Sequence, residues 1–177
     1  MPVVKLNHVV IHPDSGSIVA VADFKVPADR LFRALTATDE ISRWWGGVKP
    51  LPNLLWVGVP LKGTGWRAEG SRMAGRAVFT AFGDFLDIDA PRQIEATWHG
   101  SWDGLAMTRV SLRFEPVANG SVLTLMHQGF IGREQACRRQ GRLWYLAIKW
   151  LEAHFRAEAE LEARRGGAYL TERQGAC

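Results

Sequence analysis

The feature that most constrains the fold is a series of five closely spaced strand patterns followed by one long helical pattern. The strand patterns occupy residues 65–72, 76–88, 92–100, 107–116 and 121–130. The turn signals Ala90-Pro91-Arg92 and Ala118-Asn119-Gly120 leave only short connections between strands. Short connections favour an antiparallel meander, because consecutive strands can then pair directly.

Apolar residues at helical spacing predict that residues 135–165 form a long helix. The stripe consists of Trp144, Ile148, Leu151 and Phe155. At about 1.5 Å per residue such a helix is on the order of 45 Å long, so it can cross a whole small sheet. Gly166-Gly167 is predicted to end the helix, and residues 166–177 are predicted to form a loose tail.

Three shorter patterns precede the meander. Residues 17–25 alternate apolar and polar side chains as a half-buried strand does, and residues 28–35 and 38–45 predict two short helices. The order predicts an α+β fold, in which a curved antiparallel sheet of about six strands wraps around the long C-terminal helix. We predict a single domain over residues 1–177, with its core at about 17–165.

Tryptophan is the unusual component of this sequence. Eight tryptophans are present against two tyrosines, in a chain of 177 residues with 47% hydrophobic content. Large flat indoles can fill a core, and they can equally line a cavity that holds a flat apolar ligand. The composition leaves both interpretations open.

Charge and cysteine content indicate which kinds of partner and which cellular location to expect. The net charge is +4, and the positive residues are scattered apart from Arg138, Arg139 and Arg142. This pattern favours a solvated basic face over a nucleic-acid interface. Two distant cysteines form no disulfide framework, and no apolar segment approaches membrane-spanning length. We therefore expect a cytoplasmic protein that binds neither nucleic acid nor membranes.

Four segments carry a resemblance to a known family. They are VPADRLFRALTATDEISRWWG (26–46), GDFLDIDAPRQIEATW (83–98), TRVSLRFEPVANGSVLTLMHQGF (108–130) and GRLWYLAIKWLEAHF (141–155). In this order they resemble the START-like or birch-pollen-allergen-like superfamily (SRPBCC), and within it the proteins related to the activator of heat-shock-protein-90 ATPase. The resemblance implies a helix-grip fold with a cavity between the concave sheet face and the long helix.

For the cavity that the resemblance implies, aromatic residues supply most of the candidates. One indole of Trp44-Trp45 can fill the core while the other borders the cavity entrance, or both can be packing residues. Trp102 and Trp150 also lie in elements expected to surround the cavity. We predict that a hydrophobic or aromatic small molecule binds there. The candidate contacts are Trp44, Trp66, Phe79, Trp98, Met126, His127, Trp144 and Ile148.

His127 is the candidate catalytic residue. It shares a strand face with Leu123 and Leu125, where it could act as a general base, and a satisfied core histidine is the alternative. The resemblance implies a cyclase- or aromatase-like enzyme as an alternative function. A module that docks on a chaperone is a further alternative, which we rank lowest because we find no counterpart of the extra domain of the eukaryotic activator.

The sequence gives no reason to expect a metal or a cofactor. His8 and His12 have the spacing that serves zinc on a helix, but the Val-Val-Ile between them favours a strand. No third ligand lies near them in sequence. A homodimer formed through an exposed strand edge stays open, since an edge strand offers unpaired backbone groups.

Overall fold

The computed structural model describes residues 3–47, 55–72 and 76–174 of the chain. These residues form nine strands and three α-helices. The strands are β1 (Val4–Leu6), β2 (Val9–His12), β3 (Ser17–Phe24), β4 (Leu55–Gly58), β5 (Gly65–Arg72), β6 (Arg76–Asp89), β7 (Gln93–Gly100), β8 (Met107–Val117) and β9 (Gly120–Gln128). The helices are α1 (Ala28–Thr36), α2 (Thr38–Trp44) and α3 (Glu134–Gln174), and a short 3-10 turn, Ser101–Asp103, follows β7.

All nine strands belong to one curved antiparallel sheet. Their order is β1-β2-β3-β9-β8-β7-β6-β5-β4. From β4 to β9 each strand pairs with its neighbour in sequence, so the predicted meander is confirmed. Strand β3 pairs with β9 in unbroken register, from Ser17 opposite Gln128 to Phe24 opposite Ser121. The first part of the chain is thereby joined to the last strand of the meander.

Alternation along the strands gives the sheet one buried face, on which the long helix lies. In β9, Leu123, Leu125 and His127 are buried while the residues between them are more exposed. Helix α3 packs on this face with the stripe that its spacing predicts, Trp144, Ile148, Leu151 and Phe155. The predicted fold class, an α+β helix-grip arrangement, is confirmed.

The sheet has more strands than the about six that the sequence patterns predict. The additional strands are β1, β2 and β4. Strand β1 has three residues and β2 has four, and alternation over so few positions carries little information. Strand β4 lies in a segment whose prolines and glycines indicate an irregular connection. Residues 48–54 of that segment lie outside the described residues.

Helix α3 continues to Gln174, so the predicted end at Gly166-Gly167 is wrong. A glycine in a helix interior costs only about 1 kcal/mol relative to alanine. The two glycines are followed by Ala168, Tyr169 and Leu170 rather than by a proline, so nothing in the sequence forbids a further turn.

An ion-pair clasp joins the two short helices to α3. Nη2 of Arg30 in α1 donates to Oε2 of Glu40 in α2 at 3.1 Å and to Oε1 of Glu158 in α3 at 2.8 Å. The same guanidinium lies 5.1 Å from the ring centroid of Phe155. Glu40 is only 6% exposed, and a carboxylate so buried requires cationic partners. The clasp therefore holds the first turn of α2 against α1 and α3.

Gly83 allows a close approach between β6 and β7. A Cβ atom at this position would lie 1.9 Å from the carbonyl oxygen of Thr97 and 2.8 Å from Nε1 of Trp66. The same carbonyl oxygen accepts a hydrogen bond from Nε1 of Trp66 at 3.2 Å. The absent side chain thus leaves room for an indole that spans from β5 to β7.

We expect Gly83→Ala to lower the free energy of unfolding by about 3 kcal/mol or more, because the new methyl group collides with backbone that cannot move away. Gly65→Ala is the matched control, since a Cβ there meets Asp84 Oδ1 and Gly83 O only at an ordinary 3.7 Å. Urea denaturation measures both losses. Equal effects of the two substitutions would contradict this explanation of Gly83.

Candidate ligand cavity

All eight tryptophans of the chain form one connected network on the buried side of the sheet. The closest pair, Trp66 and Trp98, has ring centroids 4.6 Å apart, and Trp56 stacks on Trp66 with an interplanar angle of 12°. The contacts run through Trp44–Trp45, Trp45–Trp56, Trp45–Trp150, Trp56–Trp66, Trp66–Trp98, Trp98–Trp102 and Trp98–Trp144. Offset and tilted ring pairs of this kind stabilise beyond their buried area.

Two cavities lie against this network. The inner cavity has a volume of about 60 Å³ and is too small for more than a few atoms. The outer cavity has a volume of about 450 Å³, which falls within the range of small-molecule sites. Both are bordered by the same three indoles, Trp45, Trp56 and Trp98.

The outer cavity lies between strands β5 to β7 and one side of α3, and its wall is mostly aromatic. Five tryptophans contribute, and the described lining residues are Trp45, Gly46, Trp56, Ala68, Phe79, Ala81, Trp98, Trp102, Arg139, Leu143 and Trp150. Among these residues Arg139 is the one that carries a charge. The small side chains Ala68 and Ala81, which are paired across β5 and β6, leave the space that the indoles surround.

Trp44 and Trp45, which are adjacent at the end of α2, have different roles. Nε1 of Trp44 donates to the carbonyl oxygen of Ala34 at 2.8 Å, which holds α2 against α1. Trp44 borders only the inner cavity and a still smaller void, whereas Trp45 borders both main cavities. The chain then turns at Gly46 and Gly47, which have φ angles of 99° and 87°. At Gly47 a Cβ would lie 2.9 Å from the ring of Trp150.

The structure divides the predicted contact residues between the two cavities. Trp44, Trp66 and Trp144 border the inner cavity, Phe79 borders the outer one, and Trp98 borders both. Ile148 lines a separate void of about 10 Å³ between the sheet and α3, so it is a packing residue.

Two predicted contacts, Met126 and His127, line neither cavity. Met126 is 40% exposed on the opposite face of the sheet, because it alternates with Leu125 and His127 along β9. The prediction that Met126 contacts a ligand in an interior cavity is therefore wrong. His127 is fully buried but absent from the described lining of both cavities.

The imidazole of His127 is held by a chain of buried hydrogen bonds. Nε1 of Trp144 donates to Nδ1 of His127 at 2.9 Å, so the ring proton resides on Nε2. Nε2 then donates to Oγ1 of Thr108 at 2.8 Å, and Thr108 donates to the carbonyl oxygen of Trp98 at 2.9 Å. Burial lowers the pKa of His127 from 6.5 to about 3. Both ring nitrogens are occupied, so the residue is a satisfied core histidine without a free lone pair for base catalysis.

Several lining residues of the outer cavity are missing from the predicted contacts. Arg139 and Leu143 lie on α3 beside its predicted core stripe, and Trp56 belongs to the strand that the sequence does not reveal. The spacing of Arg139, Leu143 and Trp150 places them on the side of α3 next to the core, which is the one available signal.

One group of potential metal ligands occurs in the described part of the chain, formed by Glu40, His154 and Glu158. Arg30 already neutralises both carboxylates from within the group, at 3.1 Å and 2.8 Å. A guanidinium in that position occupies the place of a cation, so these residues serve the clasp. His8, which belongs to the His-x₃-His pattern, pairs with Glu152 at 3.1 Å.

Comparison with protein families gives one match. The family model described as activator of Hsp90 ATPase homolog 1-like protein matches residues 25–155. No curated protein matches the chain at a significant level. In the part of the chain that the structure covers, no helix is long and apolar enough to cross a membrane.

Similar solved structures share the fold at low sequence identity. A protein from Rhodobacter sphaeroides has a TM-score of 0.69 and 18% identity, with 83% of this chain and 97% of that chain covered. CalU16 from Micromonospora echinospora has a TM-score of 0.60 and 21% identity, with 96% and 92% covered. A protein from Arthrobacter aurescens has a TM-score of 0.68 and 18% identity, with 82% and 88% covered. These similarities establish a common fold.

Because Trp144 donates a hydrogen bond to His127, we expect two similar truncations to lower the free energy of unfolding by different amounts. Trp144→Phe and Trp98→Phe remove the same atoms from side chains that are 4% and 6% exposed, but only the first breaks a bond. We expect Trp144→Phe to cost about 1–3 kcal/mol more in the free energy of unfolding, because Nδ1 of His127 is left buried without a donor. Denaturant titration of both variants measures this difference, and equal costs would contradict it.

The low pKa of His127 should make stability depend on pH. Between 6.5 and about 3 the unfolded chain binds a proton at His127 that the folded chain excludes, so stability falls as the pH is lowered through this window. The slope is at most about 1.4 kcal/mol per pH unit. His127→Gln retains an acceptor and a donor but cannot titrate, and we expect its unfolding free energy to fall less steeply between about pH 6 and 4. If the unfolding free energies of the two proteins depended on pH in the same way, the low pKa of His127 would be ruled out as the cause.

Proposed function

The chain belongs to the family of activator of Hsp90 ATPase homolog 1-like proteins, and we propose that it binds a flat, apolar small molecule in its outer cavity. The observation that carries the proposal is the wall of this cavity. Five indoles, Phe79 and Leu143 surround a volume of about 450 Å³. An apolar, concave site with few polar groups is the usual design for small-molecule binding.

The arrangement of the tryptophans also supports a flat ligand. Trp45, Trp56 and Trp98 separate the outer cavity from the inner one, and each contacts further indoles behind it. Rings that are already held by neighbouring rings lose little conformational freedom when a ligand binds. A planar ligand would therefore meet a wall that is already ordered.

A cyclase- or aromatase-like reaction is a weaker proposal, because its candidate residue does not line the cavity. The lone pair on Nδ1 of His127 accepts from Trp144, and the proton on Nε2 is donated to Thr108. The described lining of the outer cavity offers no histidine, carboxylate, serine or cysteine in its place. Docking on a chaperone stays a prediction that no observation here favours.

Filling the cavity should abolish binding. Ala81 is 1% exposed and lines the outer cavity, so Ala81→Leu places three additional carbon atoms in the space that a ligand needs. We expect the affinity for N-phenylnaphthylamine, a neutral flat probe, to fall at least tenfold, which corresponds to about 1.4 kcal/mol. The increase in probe fluorescence on binding provides the titration.

Ala153→Leu is the matched control, because Ala153 is exposed on α3. This variant should bind the probe as the original protein does, and thermal unfolding should show both variants to be folded. If Ala81→Leu binds the probe as tightly as the original protein, the outer cavity is not the binding site. Absence of any saturable binding to the original protein would overturn the proposed function itself.

A further inference from the structure

We propose that the ligand of the outer cavity is an aromatic anion that also carries a second oxygen acceptor, with its anionic group at Arg139 and its acceptor at the indole N–H of Trp98. This inference rests on the proposed function and specifies the chemical class of the ligand. Two observations carry it: an unpaired cation in an otherwise uncharged wall, and a buried donor without an acceptor.

Arg139 makes the electrostatic potential of the outer cavity positive. It lines the outer cavity and an adjoining surface hollow, and it forms no ion pair with the residues that the structure describes. Two acids, Asp103 and Glu134, line the adjoining hollow, but Asp103 is paired with Arg133 and neither acid forms an ion pair with Arg139. A guanidinium beside an apolar wall is suited to a carboxylate or phenolate, which it can bind through two parallel hydrogen bonds.

Trp98 supplies the second polar group. Four other indoles donate to protein acceptors: Trp44 to Ala34, Trp66 to Thr97, Trp102 to Gln140 and Trp144 to His127. Nε1 of Trp98 is buried and has no acceptor among the described residues, although its ring borders both cavities. Buried donors without a partner are rare in folded proteins, and each calls for an explanation. A ligand oxygen would satisfy this donor.

Gln140 adds a second donor of the same kind. Its Oε1 accepts from Nε1 of Trp102 at 3.1 Å, and this bond fixes an indole of the cavity wall. Its Nε2 is buried without an acceptor within the described part of the protein. Gln140 does not itself line the cavity, so this donor lies behind the wall rather than in contact with a ligand.

A cage of indoles could instead bind a cation through its ring faces, as aromatic cages bind quaternary ammonium groups. Two features of this cavity argue against a cationic ligand. Arg139 would repel a cationic ligand, and no carboxylate is present among the described lining residues to offset the repulsion. The unpaired N–H of Trp98 gains nothing from a cation. The observations therefore favour an anion.

The test compares hydroxynaphthoate, whose hydroxyl lies on the ring remote from the carboxylate, with its neutral amide hydroxynaphthamide and with naphthoate, which lacks the hydroxyl. Isothermal titration calorimetry with the full chain gives the affinities. We expect hydroxynaphthoate to bind about tenfold more tightly than hydroxynaphthamide, because only the carboxylate forms a charge-assisted pair with Arg139. Arg139→Met should remove this preference.

Arg142→Met is the matched control, since Arg142 is an exposed cation on the same helix that does not line the cavity. This variant should retain the tenfold preference. We expect the original protein also to bind hydroxynaphthoate more tightly than naphthoate, because only hydroxynaphthoate carries the oxygen acceptor proposed for Nε1 of Trp98. In Trp98→Phe this second preference should disappear, while the preference for carboxylate over amide remains. The two substitutions thus separate the two polar contacts.

The outcomes distinguish the inference from the function on which it rests. If the original protein binds the acid and the amide equally well, or if Arg139→Met keeps the preference, the ligand class is wrong while the apolar cavity is still a binding site. Preferential binding of naphthyltrimethylammonium would show that the cavity is a cation cage and would also overturn the inference. Failure of every naphthalene to bind would overturn both proposals.

Discussion

The hydrogen bond from Trp144 to His127 is the contact on which the interior arrangement depends. It fixes α3 to β9 at 2.9 Å, and the chain continues through Thr108 on β8 to the carbonyl oxygen of Trp98 on β7. One buried network thereby ties the helix to three neighbouring strands, which are themselves joined by backbone pairing. Because burial lowers the pKa of His127 to about 3, the imidazole stays neutral near pH 7, and both of its nitrogens serve internal hydrogen bonds.

Tryptophan acts both as core and as lining in this protein. The inner cavity of about 60 Å³ is nearly filled by indoles, whereas the outer cavity of about 450 Å³ is bounded by indoles that the inner ones support. Some of the tryptophans are therefore core residues, and others also border the outer cavity, whose occupation by a flat apolar ligand stays a prediction. A ring backed by other rings forms a stiff wall, because close-packed interiors leave little room for rotation.

The separation of the ion-pair clasp from the outer cavity explains how an open cavity can exist in a well-packed domain. Arg30 and its two glutamates hold the short helices against α3. None of these three residues lines the outer cavity, so these contacts do not depend on filling it. The cavity wall carries one buried donor without a protein acceptor, Nε1 of Trp98, together with the exposed cation Arg139.

Sequence alone was sufficient for the strands of the meander and for the helix that follows them. Alternation in residues 107–116 and 121–130 and the stripe from Trp144 to Phe155 are local patterns, and local patterns are fixed by the requirement to bury one face. The sequence did not predict the short strands β1, β2 and β4, because a strand of three or four residues is too short to show a clear alternation of apolar and polar side chains. The helix end was also misjudged, since a glycine pair permits a stop without requiring one.

The position and lining of the outer cavity are determined by the tertiary structure. The sequence drew attention to the tryptophans, but Met126 was wrongly predicted as a cavity contact although it alternates with the buried residues Leu125 and His127 along β9. Which indoles border open space depends on how α3 crosses the sheet, and that depends on distant partners such as Trp144 with His127 and Arg30 with Glu158. Periodicity reports which face of an element is buried, but the gap left between two buried faces is a property of their packing.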